Sequence, residues 1–256
     1  ILRAKALPLD QLVAHIQLKD AVLTLNPLEF AAAGGRLVAT ITLDARQDVI
    51  QAKGQMQVRK IQLSKLFPTV ALTRSGIGQI NGAFNLSGQG NSVGRMLASS
   101  NGDVSLRMER GKISRLLMEQ AGLHLLEILE LTLAGDRTIE LRCAQADFRV
   151  KRGVMTATKL LLDTSVSTVV GSGTVDLAHE TLDVTLVPRT RTTSLVALRS
   201  PIHIGGTLGT PVASLDTTRV LARGIGALAL GVVNPLLALI PLVEPGPGLA
   251  STCAPG

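Results

Sequence analysis

Tryptophan and tyrosine are absent from the 256 residues, and the aromatic complement is four phenylalanines, Phe30, Phe67, Phe84 and Phe148. Single-stranded nucleic acids and sugars are commonly held on aromatic faces, and this chain has little to build such a platform from. Cysteine is scarce too: Cys143 and Cys253 are the only two and have no metal-ligand spacing. The four histidines, His15, His124, His179 and His203, share no ligand spacing either. A phosphate loop fails because Ile113 follows Gly111-Lys112, where Ser or Thr is required. Gly171-Ser172-Gly173 opens like a dinucleotide turn, but Asp176 stands where the third glycine belongs. No basic run exceeds two residues (Arg59-Lys60, Lys151-Arg152), so nothing resembles a basic arm. These absences argue against a nucleic-acid binder and against an enzyme.

What is present is a globular composition, 46% apolar and 18% charged, with a mean hydropathy of +0.34. A chain of this size buries a core without needing a metal or disulfide. The excess of 26 Lys and Arg over 19 Asp and Glu, a net charge of +7, favours an acidic partner such as an anionic lipid surface or a nucleic acid.

Period-two alternation dominates the pattern. Leu37, Ala39, Ile41 and Leu43 alternate with polar residues, as do Ile80, Phe84 and Leu86, then Val104, Leu106 and Met108, and later Leu182, Val184 and Leu186. Ile139, Leu141 and Cys143 alternate with Thr138, Glu140 and Arg142, and Ile202 and Ile204 flank His203, which falls on the polar side. Each stretch reads as a strand with one apolar face. Glycine pairs and Asn-Gly punctuate them as turns. The apolar residues change parity between Val58 and Ile61, which predicts a bulge or turn. The expected fold is mainly β: a curved antiparallel sheet of roughly twelve strands with a few helices.

Three segments break the alternation. Asn91 to Ser99 reads as a short helix with a polar N-cap. Ser114 to Leu133 reads as a longer one, with apolar residues at helical spacing. Residues 217–243 contain a stretch without charge, Gly224 to Val243. Its length permits a membrane span, but Asn234-Pro235 and Pro241 interrupt it, which predicts two short apolar helices. Composition shifts near Gly88-Gln89-Gly90, dividing a repetitive strand segment, 1–90, from a mixed domain, 91–256.

Cys143 admits three readings: an apolar strand residue, a nucleophile with His124 as its base, or a disulfide partner of Cys253. The disulfide would close a loop of about 110 residues, worth roughly 4–5 kcal/mol in the chain-entropy model, and needs an oxidising compartment.

Several stretches together resemble the C-terminal region of bacterial AsmA-like proteins. They include Gly82-Ala83-Phe84-Asn85-Leu86-Ser87-Gly88, Asn101-Gly102-Asp103-Val104, Gly111-Lys112-Ile113-Ser114, Leu141-Arg142-Cys143-Ala144, Leu186-Val187-Pro188 and Gly205-Gly206-Thr207-Leu208. The resemblance implies a repeating β-groove with helices near its mouth and C-terminal end. It also implies a periplasmic location, an inner-membrane anchor on an N-terminal helix missing from this chain, and a role in phospholipid transport and outer-membrane assembly. It implies no catalytic residue, cofactor or metal.

The function expected is therefore non-enzymatic lipid binding and transfer. The groove-face candidates are Leu37, Ile41, Leu43, Ile80, Phe84, Leu86, Val104, Leu106, Met108, Leu182, Val184 and Leu186. Headgroup candidates are Arg107, Arg110, Lys112, Arg149, Lys151 and Arg189. Expected partners are phospholipid, a membrane touched through 217–243, and other envelope proteins, with no nucleic acid. The alternative is a structural or assembly module that docks a partner or a membrane through its C-terminal apolar helices.

Overall fold

The structure, a computed structural model, describes residues 10–62, 65, 78–113, 139–165, 167–190 and 201–215. They form one open, curved antiparallel sheet of twelve strands whose spatial order is the order in sequence. The strands are β1 (Asp10–Lys19), β2 (Val22–Ala32), β3 (Gly35–Asp44), β4 (Gln51–Gln62), β5 (Gln79–Gln89) and β6 (Asn101–Ile113). They continue as β7 (Ile139–Lys151), β8 (Val154–Thr164), β9 (Ser167–Asp176), β10 (Thr181–Thr190), β11 (Ile202–Gly206) and β12 (Pro211–Leu215). This is the mainly β architecture that the alternation predicts. The sheet runs on through Gly88–Gly90, because β5 and β6 pair directly. A helix, α1 (Val93–Ala98), lies in the connection between them, capped by Ser92, whose side chain accepts the Arg95 N–H. The expected helices at Ser114–Leu133 and in 217–243 lie outside the described residues, and no described helix is long and apolar enough to cross a membrane.

Bulges occur where apolar residues change parity. The ladder shifts between Val58 and Ile61, with Lys60 at φ 56°, between Leu25 and Leu28, and between Thr156 and Leu160. Each extra residue returns the next apolar side chain to the face it would otherwise leave.

One end of the sheet is stitched together. Connections from odd to even strands all lie there, and neighbouring ones share a backbone hydrogen bond. Ala45 N–H donates to Ala21 O (2.9 Å), Gly90 to Ile50 (3.0 Å), Gly153 to Ser100 (2.9 Å), Leu177 to Gly153 (2.9 Å) and Leu208 to Glu180 (2.8 Å). Side chains reinforce the row: Asn91 Oδ1 accepts from Ile50 N (3.2 Å) while its amide donates to Asp48 O (3.1 Å), and Ser99 Oγ bonds both backbone groups of Gln89 at 2.7 Å. Gly153 is one of the tight points. It sits at φ +76°, and a Cβ there would lie 2.3 Å from Ala98 O. Two turn carboxylates are held low at this end. Asp44 is brought down to about 2, first by the Arg46 guanidinium and then by the Arg46 backbone N–H. Asp176 is lowered chiefly by the His179 ring beside it.

The core is thin. Among described residues the buried apolar side chains are few and small, chiefly Ala, Val, Ile and Leu, and one cluster gathers Ala33, Val58 and Ile61 with Leu37, Met56, Ile80 and Phe84 around it. Strands pack on their sheet neighbours and α1 packs on β5; no second described layer faces the sheet.

Two outcomes follow. Gly153→Ala should lower unfolding stability by about 1–3 kcal/mol, read by urea denaturation, since it combines a left-handed φ with a backbone clash. Asp44 has a depressed folded pKa, so its contribution is present above the ordinary carboxylate pKa of about 4 and lost as pH falls toward 2. The stability gap between wild type and Asp44→Asn should therefore close between pH 5 and pH 2 in urea titrations.

Candidate functional site

The register carries one apolar face across every strand. From the β1 edge inward, Ile16 pairs with Leu25, Leu25 with Ile41, Ile41 with Gly54 and Gly54 with Leu86. The row above runs from Leu37 to Val58, Gly82, Leu106 and Ala146, then to Leu160, Gly171, Leu186, Ile202 and Leu215. All twelve expected groove residues fall on this face. Leu43 lies opposite Leu23 and Ala52, Ile80 opposite Met108, and Phe84 opposite Val104. Leu182 faces Val175, and Val184 faces Gly173 and Ile204. Along β4 from Gln51 to Gln57 the contrast between faces is complete: Gln51, Lys53, Gln55 and Gln57 are exposed, while Ala52, Gly54 and Met56 are half-buried. At the β1 edge the face runs out into exposed Ile16 and Leu18, at 67% and 72% accessibility.

Alternation among large apolar residues missed part of this face. In β4 its members are Ala52, Gly54, Met56 and Val58, small residues spaced by Lys53, Gln55 and Gln57; the period of two was there, carried by Ala and Gly. In β7 the expectation is corrected. Ala144, Ala146, Phe148 and Val150 share the face with Val104 and Leu106, whereas Leu141 and Cys143 lie on the other. Beyond Leu141 and Cys143 that other face is polar and bonded. Ser105 Oγ donates to Asp147 Oδ1 at 2.5 Å, and Gln145 Nε2 to Asp147 Oδ2 at 2.6 Å. Next to them Asp163 is fully buried and accepts from Thr168 Oγ1 at 3.1 Å.

The basic candidates fall elsewhere. Arg107 pairs in register with Gln145, Arg149 with Asp103, and Arg189 with Thr168, which sets all three on the polar face. Arg149 also sits 3.7 Å from Asp103. Lys151 is exposed at the β7–β8 hairpin, opposite Val154. The side chains of Arg110 and Lys112 lie outside the described set. Alternation instead puts exposed Arg142 on the apolar face of β7, two residues before Ala144. The mistaken phase of β7 hid it.

The described residues assemble no reaction centre. Cys143 is disulfide-bonded, which removes the nucleophile reading; the chain's other cysteine, Cys253, lies outside the described residues, as does His124. The spacing Gly90-x-Ser92-x-Gly94, which motif reading passed over, is that of a nucleophile elbow, but Ser92 Oγ serves as the helix cap, accepting Arg95 N–H at 3.3 Å. Among the described residues no cluster of His, Cys, Asp and Glu is placed to hold a metal. His203 is exposed on the polar face, 3.7 Å from Asp183.

Comparison with known proteins gives a family. The AsmA family matches residues 2–160. The chain belongs to the AsmA family. It is 36% identical over 249 residues to AsmA family protein YhjG of Escherichia coli (strain K12), covering 97% of this chain and 36% of that protein. The chain thus spans about a third of the length of this AsmA relative. No solved structure matches. AsmA membership suggests an envelope-related function, and AsmA proteins are not known as enzymes.

Non-reducing peptide mapping should recover the Cys143 peptide joined to that of Cys253. Cys143→Ser should cost about 2–5 kcal/mol of unfolding stability under oxidising conditions and nothing comparable once the wild type is reduced.

Proposed function

We propose that this chain is a non-enzymatic lipid-binding and lipid-transfer module of the bacterial envelope, periplasmic, working on phospholipids. The observation that supports the reading is the apolar face that runs through all twelve strands, broken by Arg142 on β7, with no second described layer upon it. A soluble sandwich buries such a face against another sheet; a lipid carrier can cover it with acyl chains.

The scale suits this. Twelve strands at about 4.8 Å spacing give a path on the order of 50 Å, whereas one leaflet of a bilayer core is about 15 Å deep. The trough is long enough for several acyl chains in series. Burial is worth about 0.8 kcal/mol per methylene, so a long acyl chain gains on the order of 10 kcal/mol by leaving water. The wall is mostly aliphatic and interrupted by Gly54, Gly82, Gly171 and Gly173. It offers repeated weak contact and few polar groups to fix one headgroup, as movement along it requires. Anchoring to the inner membrane and a share in outer-membrane assembly fit the same reading, with this chain as the part that meets the lipid.

Gly54 gives a clean test, since a Cβ there meets nothing within 4 Å. Gly54→Phe should project its ring into the trough, leave the unfolding free energy within about 1 kcal/mol of wild type, and reduce phospholipid uptake several-fold by mass spectrometry of delipidated, re-exposed protein. Leu106→Asp and Val184→Asp should block transfer between vesicles, whereas Gln55→Asp, on the opposite face, should not. Wild-type protein that takes up no phospholipid overturns the proposal and leaves the assembly module as the better reading.

A further inference from the structure

The two ends of the sheet differ in charge. At the stitched end acids and bases are mixed: Arg46 pairs with Asp44, Arg149 with Asp103 at 3.7 Å, and His179 with Asp176 at 2.8 Å, and exposed Asp20, Asp48 and Glu180 stand among the remaining bases Lys19, Arg95, Lys151 and Arg152. At the opposite end the basic groups outnumber their partners. Arg36, Arg59, Lys60 and Lys65 gather around the β2–β3 turn. Gly35 packs on the backbone of residues 59–61, and a Cβ on Gly34 would lie 3.0 Å from Lys65 Nζ. Arg36 and Arg59 are direct cross-strand partners, an arrangement that repels. Among the described residues the single acid paired with this cluster is Glu29, 3.9 Å from Arg36, whose side chain is 65% exposed. Arg59, Lys60 and Lys65 are exposed as well, and exposed Arg142 and Arg189 stand toward the same end of β7 and β10. Strand β12 also runs toward this end, and the chargeless sequence Gly224 to Val243 follows it.

We propose that this basic end docks on an anionic phospholipid bilayer. The inference rests on the lipid reading of the apolar face and adds an orientation to it. Repelling cations held at a strand end lose their mutual penalty when lipid phosphates lie between them. Each basic group near such a surface adds to binding, within about one Debye length. At the stitched end nearby acids offset the bases more closely, so the molecule meets the membrane with its basic end, and the apolar face opens toward the bilayer from which lipid would enter or leave.

The test is vesicle co-sedimentation of the full chain with phosphatidylcholine alone and with phosphatidylcholine containing phosphatidylglycerol. Binding is expected to the anionic vesicles only and to weaken as salt rises. The variant Arg36→Gln/Arg59→Gln/Lys60→Gln/Lys65→Gln should lose on the order of a hundredfold in partition. A charge-matched control at the stitched end, Arg46→Gln/Arg95→Gln/Arg149→Gln/Arg152→Gln, should lose far less. Equal loss in both variants, binding that ignores lipid charge, or tighter binding to duplex DNA at the same salt would overturn the proposal. Lipid uptake from detergent micelles, measured alongside, separates this from the function itself. Failed docking with intact uptake removes only the orientation; intact docking with no uptake removes only the trough.

Discussion

A β-strand sends successive side chains to opposite faces, and that period of two governs this molecule. With every strand antiparallel to its sequence neighbour, the face chosen in one strand is passed to the next through the register, and a slip of one residue anywhere would turn the apolar set of that strand outward. The chain guards against this where its own sequence loses phase. The irregularities after Leu25, Val58 and Thr156 come where the next apolar residue would otherwise point the wrong way. Bulges here hold the continuity of one surface, and the functional reading depends on that surface.

That the described residues form a single curved layer also explains their shallow core. In a two-layer fold the larger aliphatic side chains vanish from solvent, whereas here Leu37, Ile41, Leu86, Leu106 and Leu186 stay half-buried, covered in the main by strand neighbours, and the fully buried set includes Ser100 and Asp163 beside Val150. Backbone ladders and neighbour-on-neighbour contact carry much of the stability. Such a sheet tolerates a change of contents on its apolar side better than a jigsaw core would, which is a useful property if the contents are lipid.

Much of this was legible in the residues. Leu, Ile, Val and Met alternating with polar groups announced most strands and the face shared by Leu37 through Leu186, and the parity change after Val58 announced a bulge. Three things stayed hidden, for physical reasons. Ala and Gly carry the face in β4 and weaken the hydropathy contrast. In β7 both faces are apolar near Leu141 and Ala144, so alternation alone could not choose between them, and Arg142 was assigned with the wrong partners. The pairing of loops at one end, like the gathering of Arg36, Arg59 and Lys65, is set by which strands become neighbours, a long-range property that spacing along the chain does not encode.

The row of loop-to-loop hydrogen bonds makes the sheet resemble a book with a sewn spine. Pages so bound splay most easily at the fore-edge, away from the thread. On the proposed reading the bound margin would keep its width, while the opposite margin, tied at fewer places (Gln62 N–H to Ala33 O and Ser165 N–H to Glu140 O), would give a little as bulkier or slimmer cargo passed.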